Sequence, residues 1–192
     1  RYSSKASPSS QSAAVAPIIT WDGAGNLVSN QFEDTYCSLK DGLAESRYVF
    51  LKHNQLTQRF KDLTENASFV VAEAGFGTGL NFLSCWQHWL KNAPNSAQLS
   101  FISVDKYPLL PADLKRSLAT WPSLANLADE LCQSYEAGFT SSQTPQYKSF
   151  SFGNVRLLLL VDDAEQGFKQ LLHSHDAQVP PDTATALSLI HI

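Results

Sequence analysis

The stretch from Phe69 to Leu83, FVVAEAGFGTGLNFL, decides the fold. It begins with an apolar, β-branched run that is typical of a strand buried on both faces. Gly75, Gly77 and Gly79 then follow at every second position, and an amphipathic helical pattern comes next. The order strand, glycine turn, helix predicts a turn whose backbone N–H groups and helix N-terminus face a polar ligand.

The spacing of this turn is E-x-G-x-G-x-G, with Glu73 two residues before the first glycine. It differs from the dinucleotide fingerprint G-x-G-x-x-G, and a carboxylate beside the loop would repel a diphosphate. The pattern resembles motif I of class I S-adenosylmethionine-dependent methyltransferases, in which the acid lies near the methionine ammonium and the glycines pass under the nucleoside. The resemblance assigns Glu73, the three glycines and Asn81 to cofactor binding. A glycine-rich turn without a ligand is the alternative.

Two further acids follow strands in the pattern. Asp105 ends the predicted strand Leu99–Asp105, near the roughly 20-residue separation at which an acid reaches a ribose. A turn or helix-terminal aspartate is the alternative. Asp162 and Asp163 follow the predicted strand Val155–Val161, where the family shows Gly-Asp with the acid toward the adenine. Asp163 is the matching residue, and Asp162 replaces the glycine. A cap for a helix at 164–173 is the alternative.

The composition of the chain limits the classes of protein to which it can belong. The chain has 192 residues, 43% of them hydrophobic, and a formal net charge of −4, which fits one globular domain without a global basic field. Its three cysteines form no C-x-x-C pair, so we expect neither a disulfide framework nor a metal site, and a cytoplasmic location. No apolar run approaches 20 residues, so we expect no membrane span.

The segments on either side of the turn carry their own patterns. Residues 1–17 are predicted to be a disordered tail, and residues 18–31 a small β-hairpin. Helical patterns follow, with Asn54 as the predicted N-cap of a second helix. Two proline-initiated helices are predicted at 108–135, followed by a loop at 136–146.

Several short stretches of the sequence resemble the methyltransferase domain of the bifunctional tRNA 5-methylaminomethyl-2-thiouridine biosynthesis proteins. The most specific are RYVFL at Arg47–Leu51 and GFGTGLNFL at Gly75–Leu83, and the resemblance covers roughly residues 18–172. It implies transfer of a methyl group from S-adenosylmethionine to the primary amine of 5-aminomethyl-2-thiouridine at the tRNA wobble position. In the parent proteins an FAD-dependent oxidoreductase domain follows, and its fingerprint is absent from this chain.

Two groups of residues are candidates for handling the tRNA. Basic residues interleaved with aromatic rings suit contacts to a nucleic acid, since the cations bind phosphates and the rings stack on nucleobases. In the stretch from residue 47 to residue 61, the basic candidates are Arg47, Lys52, Arg59 and Lys61. A solvated amphipathic helix is the alternative.

A general base must also remove the proton of the substrate amine. Tyr36 and Glu45 are the candidates, with purely structural roles as the alternative.

These observations predict an α/β fold, a doubly wound Rossmann-like sheet of the class I methyltransferase type with a small N-terminal β segment. We expect residues 18–186 to be the N-terminal half of the domain, inactive alone, and the strand at Phe69–Ala72 to be left as an open edge. Residues 187–192, LSLIHI, resemble a translated sequencing-adaptor end and are expected to be a non-native tail, whose β-prone composition would let it pair as a strand at that edge. A fragment of a nucleotide-dependent oxidoreductase and a non-catalytic RNA-binding relic are the alternative functions.

Overall fold

A computed structural model of the chain describes residues 17–23, 25–29, 34–35, 41–140, 147–173 and 189–191. For residues 34–35, 139–140, 172–173 and 189–191, it describes the backbone alone. The predicted tail, apart from Pro17, lies outside these residues, as does the candidate base Tyr36.

The described chain alternates strands and helices. The strands are β1 (Ile19–Trp21), β2 (Leu27–Ser29), β3 (Asp34–Thr35), β4 (Ser68–Ala74), β5 (Gln98–Val104), β6 (Tyr147–Phe152), β7 (Val155–Leu160) and β8 (Leu189–His191). The helices are α1 (Gly42–Glu45), a π-helix (Ser46–Lys52), α2 (Leu56–Lys61), α3 (Leu80–Asn92), α4 (Pro111–Leu118), a 3₁₀ turn (Pro122–Leu124), α5 (Ala125–Thr140) and α6 (Ala164–His173).

The main sheet has the strand order β6-β7-β5-β4-β8. Strands β4, β5, β7 and β8 are parallel, and β6 returns antiparallel to β7. The β4–α3–β5 unit is the predicted strand, glycine turn, helix and strand. The carboxyl ends of β4, β5 and β7 therefore meet at one edge of the sheet, where such folds bind ligands. The predicted α/β architecture is confirmed, and the predicted hairpin is present as β1–β2 within a separate three-stranded sheet.

The expectation that β4 would form an open edge is wrong over part of its length. Residues 189–191 of β8 pair in parallel with Ala72, Glu73 and Ala74. This is the half of β4 that leads into the glycine turn. The prediction that residues 187–192 are non-native stays a prediction.

An aromatic cluster fills the space between α3 and the sheet. The rings of Phe60 and Trp89 lie 5.0 Å apart, and those of Phe82 and Phe101 lie 5.2 Å apart, both pairs edge to face. All four residues are buried. Such pairs add about 0.5–1.5 kcal/mol each beyond their buried area. This packing fixes α3, and with it the glycine turn, on the sheet.

Two local predictions are wrong. The N-cap position of α2 is Gln55, whose φ is 51°, and the Asn54 side chain instead donates from Nδ2 to the Phe50 carbonyl over 2.8 Å. Asn54 therefore binds the preceding π-helix and does not cap α2. The loop predicted from Glu136 begins later, because α5 continues to Thr140.

Helix α6 approaches β5 through a glycine. A Cβ built at Gly167 would lie 2.5 Å from Cγ1 of Val104, which is buried. Only a residue without a side chain allows α6 to lie this close to the sheet.

We predict that Gly167→Ala lowers the free energy of unfolding by about 1–3 kcal/mol through this clash. In a Val104→Ala background the same change should become neutral or stabilising by up to about 1 kcal/mol, because alanine favours helix over glycine. Urea titrations of the four proteins form the cycle. A stabilising effect of Gly167→Ala in the parent would show that the contact does not limit packing here.

Candidate cofactor site

The turn after β4 is built around glycines with left-handed backbone. Gly75 has a φ of +87°, and a Cβ added there would meet nothing within 4 Å. Gly79, at the N-cap position of α3, has a φ of +72°, and a Cβ there would lie 2.8 Å from the Phe76 ring. Phe76 is itself buried and stacks on Tyr135. The turn is therefore closed on its Phe76 side and open beside Gly75.

Asp105, directly after β5, binds the glycine turn. Its Oδ2 accepts the Gly77 N–H over 2.9 Å, and its Oδ1 accepts the Tyr107 N–H over 2.8 Å. Burial raises the pKa of Asp105, and these backbone N–H groups oppose the rise. A carboxylate offers about four acceptor positions, so at least one stays available beyond the N–H groups of Gly77, Tyr107 and Phe76.

Glu73 lies below the turn within a buried polar network. Its Oε1 accepts a hydrogen bond from Ser103 Oγ (2.9 Å) and its Oε2 from Asn81 Nδ2 (3.3 Å). Asn81 Oδ1 in turn accepts from Ser46 Oγ over 2.7 Å, and Ser46 Oγ lies 3.2 Å from Ser84 Oγ. The network joins β4, β5, the π-helix and the first turn of α3.

Burial raises the pKa of Glu73 to about 8. The hydrogen bonds from Ser103 and Asn81 favour the carboxylate, whereas the nearby charge of Asp105 favours the neutral acid. Glu73 is only 1% exposed, so desolvation outweighs the hydrogen bonds. At pH 7 this carboxyl group is mostly protonated.

Asp163 lies at the same edge of the sheet and caps α6. Its Oδ1 accepts the Glu165 N–H over 3.1 Å, and its Oδ2 lies 3.7 Å from Lys106 Nζ. The helix-cap alternative is thus present in the structure, and Lys106 places Asp163 near Asp105. Asp162, which replaces the family glycine, has no positive φ. Its Oδ1 accepts the Asp163 N–H and its Oδ2 the Gln170 side chain.

The predicted basic residues do not share one environment. Arg47 donates to Gln87 Oε1 over 3.0 Å, and Lys52 Nζ lies 4.8 Å from the centre of the Tyr48 ring. Arg59 is half-buried, with its guanidinium 5.2 Å from the centre of the Phe69 ring. Lys61 is exposed at the end of α2, and Glu45 is exposed at the end of α1.

Sequence reasoning named Asn81 but missed the serines of the Glu73 network. Ser103 lies directly across from Glu73 in the parallel β4–β5 register, so aligning the two predicted strands could have revealed it. Ser46 and Ser84 carry no such signal, because their contacts come from packing of the π-helix on α3. Lys106 and Tyr107, which follow Asp105, were not among the predicted site residues.

Other features of the described residues lie away from this turn. A cleft lined by Trp89, Pro94 and Asn154 lies near the starts of β5 and β7, at the opposite edge of the sheet. Within the described ranges, no group of three or more His, Cys, Asp or Glu side chains could hold a metal ion. The helices described here include none that is long and apolar enough to cross a membrane.

The parallel sheet and its acid-flanked glycine turn define a Rossmann-like α/β fold of the class I methyltransferase type. A structural comparison agrees on the fold: the crystal structure of MNMC2 from Aquifex aeolicus matches with a TM-score of 0.52 at 18% identity, over 84% of this chain and 46% of that chain. No protein-family model matches the chain.

Curated relatives are more similar in sequence. The chain is 45% identical over 161 residues to the tRNA 5-methylaminomethyl-2-thiouridine biosynthesis bifunctional protein MnmC of Pseudomonas fluorescens, and 40% identical over 163 residues to that of Saccharophagus degradans. Each alignment covers 84% of this chain. The resemblance stated from the sequence is confirmed: over most of its length the chain is similar to the MnmC proteins. It spans 23% and 22% of these two relatives.

We predict that Glu73→Gln stabilises the fold in a pH-dependent way. Because the folded pKa of about 8 exceeds the reference value of 4.5, the folded state binds the extra proton, and stability falls as pH rises between these values. The variant lacks this pH-dependent loss of stability. Its free energy of unfolding should therefore exceed that of the parent by roughly 2–5 kcal/mol at pH 8 and by under about 1 kcal/mol at pH 5.

Urea unfolding at both pH values measures this difference. Glu130→Gln, at an exposed position on α5, is the control and should show neither effect. Equal stability of the Glu73 variant and the parent at pH 8 would mean that the carboxyl is ionised at no cost.

Proposed function

We propose that the chain binds S-adenosylmethionine as the cofactor-binding part of a tRNA methyltransferase. The observation that carries this proposal is the glycine turn held between two acids, Glu73 at the end of β4 and Asp105 at the end of β5. Its resemblance to motif I and the names of the relatives support the same reading. The exact methyl acceptor, 5-aminomethyl-2-thiouridine, is proposed from the resemblance.

The residues present fit this cofactor. The turn has open space where a side chain at Gly75 would stand, so a nucleoside can lie against bare backbone. Asp105 binds the turn through the Gly77 N–H and its own loop through the Tyr107 N–H, and it keeps acceptor capacity for a ribose hydroxyl. Asp163, on the same edge, is assigned to the adenine, with its cap on α6 retained. Glu73 and Asn81 are assigned to the methionine end.

The bound cofactor supplies a methyl group on a sulfonium, which is already activated toward a nucleophile. The contribution of the protein is then to align donor and acceptor and to exclude water. An alkylamine with a pKa like that of lysine, about 10.4, must lose its proton before it attacks. Glu45 stays a candidate for accepting that proton, as does Tyr36, and the site of action is proposed to be cytoplasmic.

The names of the relatives indicate tRNA as the partner. The proposed RNA contacts predicted from the sequence are Arg47, Lys52, Arg59 and Lys61. Of these, Arg47, Lys52 and Lys61 are exposed, as a phosphate contact requires. Arg59 is half-buried against Phe69, which favours a packing role.

We predict that Gly75→Val abolishes binding of S-adenosylmethionine, because its side chain would fill the open space beside the turn. Gly153→Val is the matched control. Gly153 also has positive φ (+60°) and open surroundings, yet it lies in the β6–β7 turn at the opposite edge of the sheet. It should carry the same backbone strain and keep full affinity.

Isothermal titration calorimetry of the two variants and the parent measures this. Equal affinities in all three would remove the turn from the site. If the parent binds NADH or FAD and does not bind S-adenosylmethionine, the oxidoreductase alternative is favoured. Binding of RNA alone would favour the non-catalytic one.

We also predict that cofactor binding at pH 7 releases on the order of one proton. Glu73 is mostly protonated in the free protein, and an ammonium group beside it favours the carboxylate. Calorimetry in buffers of different ionisation enthalpy counts this proton, and Glu73→Gln should abolish the release. A binding enthalpy that is independent of the buffer would place the ammonium away from Glu73.

A further inference from the structure

The structure assembles a cationic face that no single stretch of sequence contains. Lys91 lies one helical turn after His88 on α3, Lys61 lies one turn after Thr57 on α2, and Arg47 of the π-helix contacts α3, so the three cations lie near His88. The His88 ring is fixed by Nε2, which lies 2.8 Å from Thr57 Oγ1, and Arg47 reaches the neighbouring residue of α3, Gln87. Lys91 stands 30 residues beyond Lys61 in the chain and was not among the sequence candidates.

The charges on this face are not balanced by ion pairs. Burial lowers the pKa of His88, and Lys91, Arg47 and Lys61 lower it further through their positive charge. None of the ion pairs between described residues involves these three cations. The acid beside them in sequence, Asp62, accepts a hydrogen bond from Gln58. Like charges held close together repel, so an anion at this face would be stabilising.

We propose that Arg47, Lys61 and Lys91 form one binding face for the phosphate backbone of an RNA. The proposal rests on the proposed function only in taking tRNA as the RNA concerned. It changes the earlier assignment, because Lys91 enters the set while Lys52 and Arg59 leave it. Lys52 lies against the Tyr48 ring, and Arg59 packs against Phe69.

The position of the face suits a large polyanion and not a small anion. Lys91 lies 11 residues after the start of α3, so it stands roughly 16 Å from the glycine turn at 1.5 Å per residue. A small substrate cannot reach both places. A folded RNA that presents one nucleotide at the turn has backbone at this distance. The Tyr48 ring follows Arg47 and is 53% exposed, with Lys52 Nζ 4.8 Å from its centre, so a nucleobase that stacks on it would also lie near a cation.

The test is the salt dependence of binding to an unmodified tRNA transcript, followed by fluorescence anisotropy with the full chain. Lys61→Gln and Lys91→Gln should each weaken binding and reduce the slope of log K against log salt by about one. Lys115→Gln is the matched control, since Lys115 is likewise exposed in the last turn of its helix, α4. Arg59→Met, which keeps the packing stem and removes the charge, should leave the slope unchanged.

The outcomes separate this proposal from the proposed function. The two lysine variants should bind S-adenosylmethionine as the parent does. If the parent itself fails to bind the cofactor, the proposed function is wrong, but the RNA measurements still test the RNA face. Slopes of the lysine variants equal to those of the parent and the Lys115 control would overturn the RNA face. Binding of the parent to anionic phospholipid vesicles, weakened by the same variants while RNA binding is not, would overturn it in favour of a membrane surface.

Discussion

The hydrogen bond from the Gly77 N–H to the Asp105 carboxylate ties the end of β4 to the end of β5. The two strands are parallel neighbours, and Gly75 N–H also donates to the Val104 carbonyl over 2.7 Å. Backbone pairing thus continues past the end of β4 into the turn. The direction of α3, the open space beside Gly75 and the position of Asp105 all depend on this closure. It requires a side-chain acceptor at the end of β5, and Asp105 supplies it whether or not a ribose also binds there.

Much of this arrangement could be predicted because it is local. The β4–α3–β5 unit follows from hydrophobic periodicity and glycine spacing over some forty residues, and Asp105 is the first residue after a clearly patterned strand. Its two proposed roles in the turn and at the ribose concern the same carboxylate. The sequence could not separate them, and the structure shows the first of the two.

The contacts that sequence reasoning missed are those made between distant segments. Ser46 reaches Asn81 across 35 positions, and Lys91 joins Lys61 through the packing of α3 on α2. Neither pair has a period or a spacing that marks it. The role of Asn54 was mispredicted for a related reason. A π-helix leaves its last carbonyls in a geometry that a standard cap rule does not anticipate, and Asn54 binds one of them.

The chain of polar groups from Glu73 through Asn81 to Ser46 ends one residue before Arg47. A cofactor that ionises Glu73 strengthens the first link, and an RNA that holds Arg47 restrains the last. Coupling between two binding sites is reciprocal by thermodynamic necessity. If one ligand orders the π-helix, the other binds more tightly by the same factor. The few hydrogen bonds around this buried carboxyl would then make the proposed cofactor and the proposed RNA bind cooperatively.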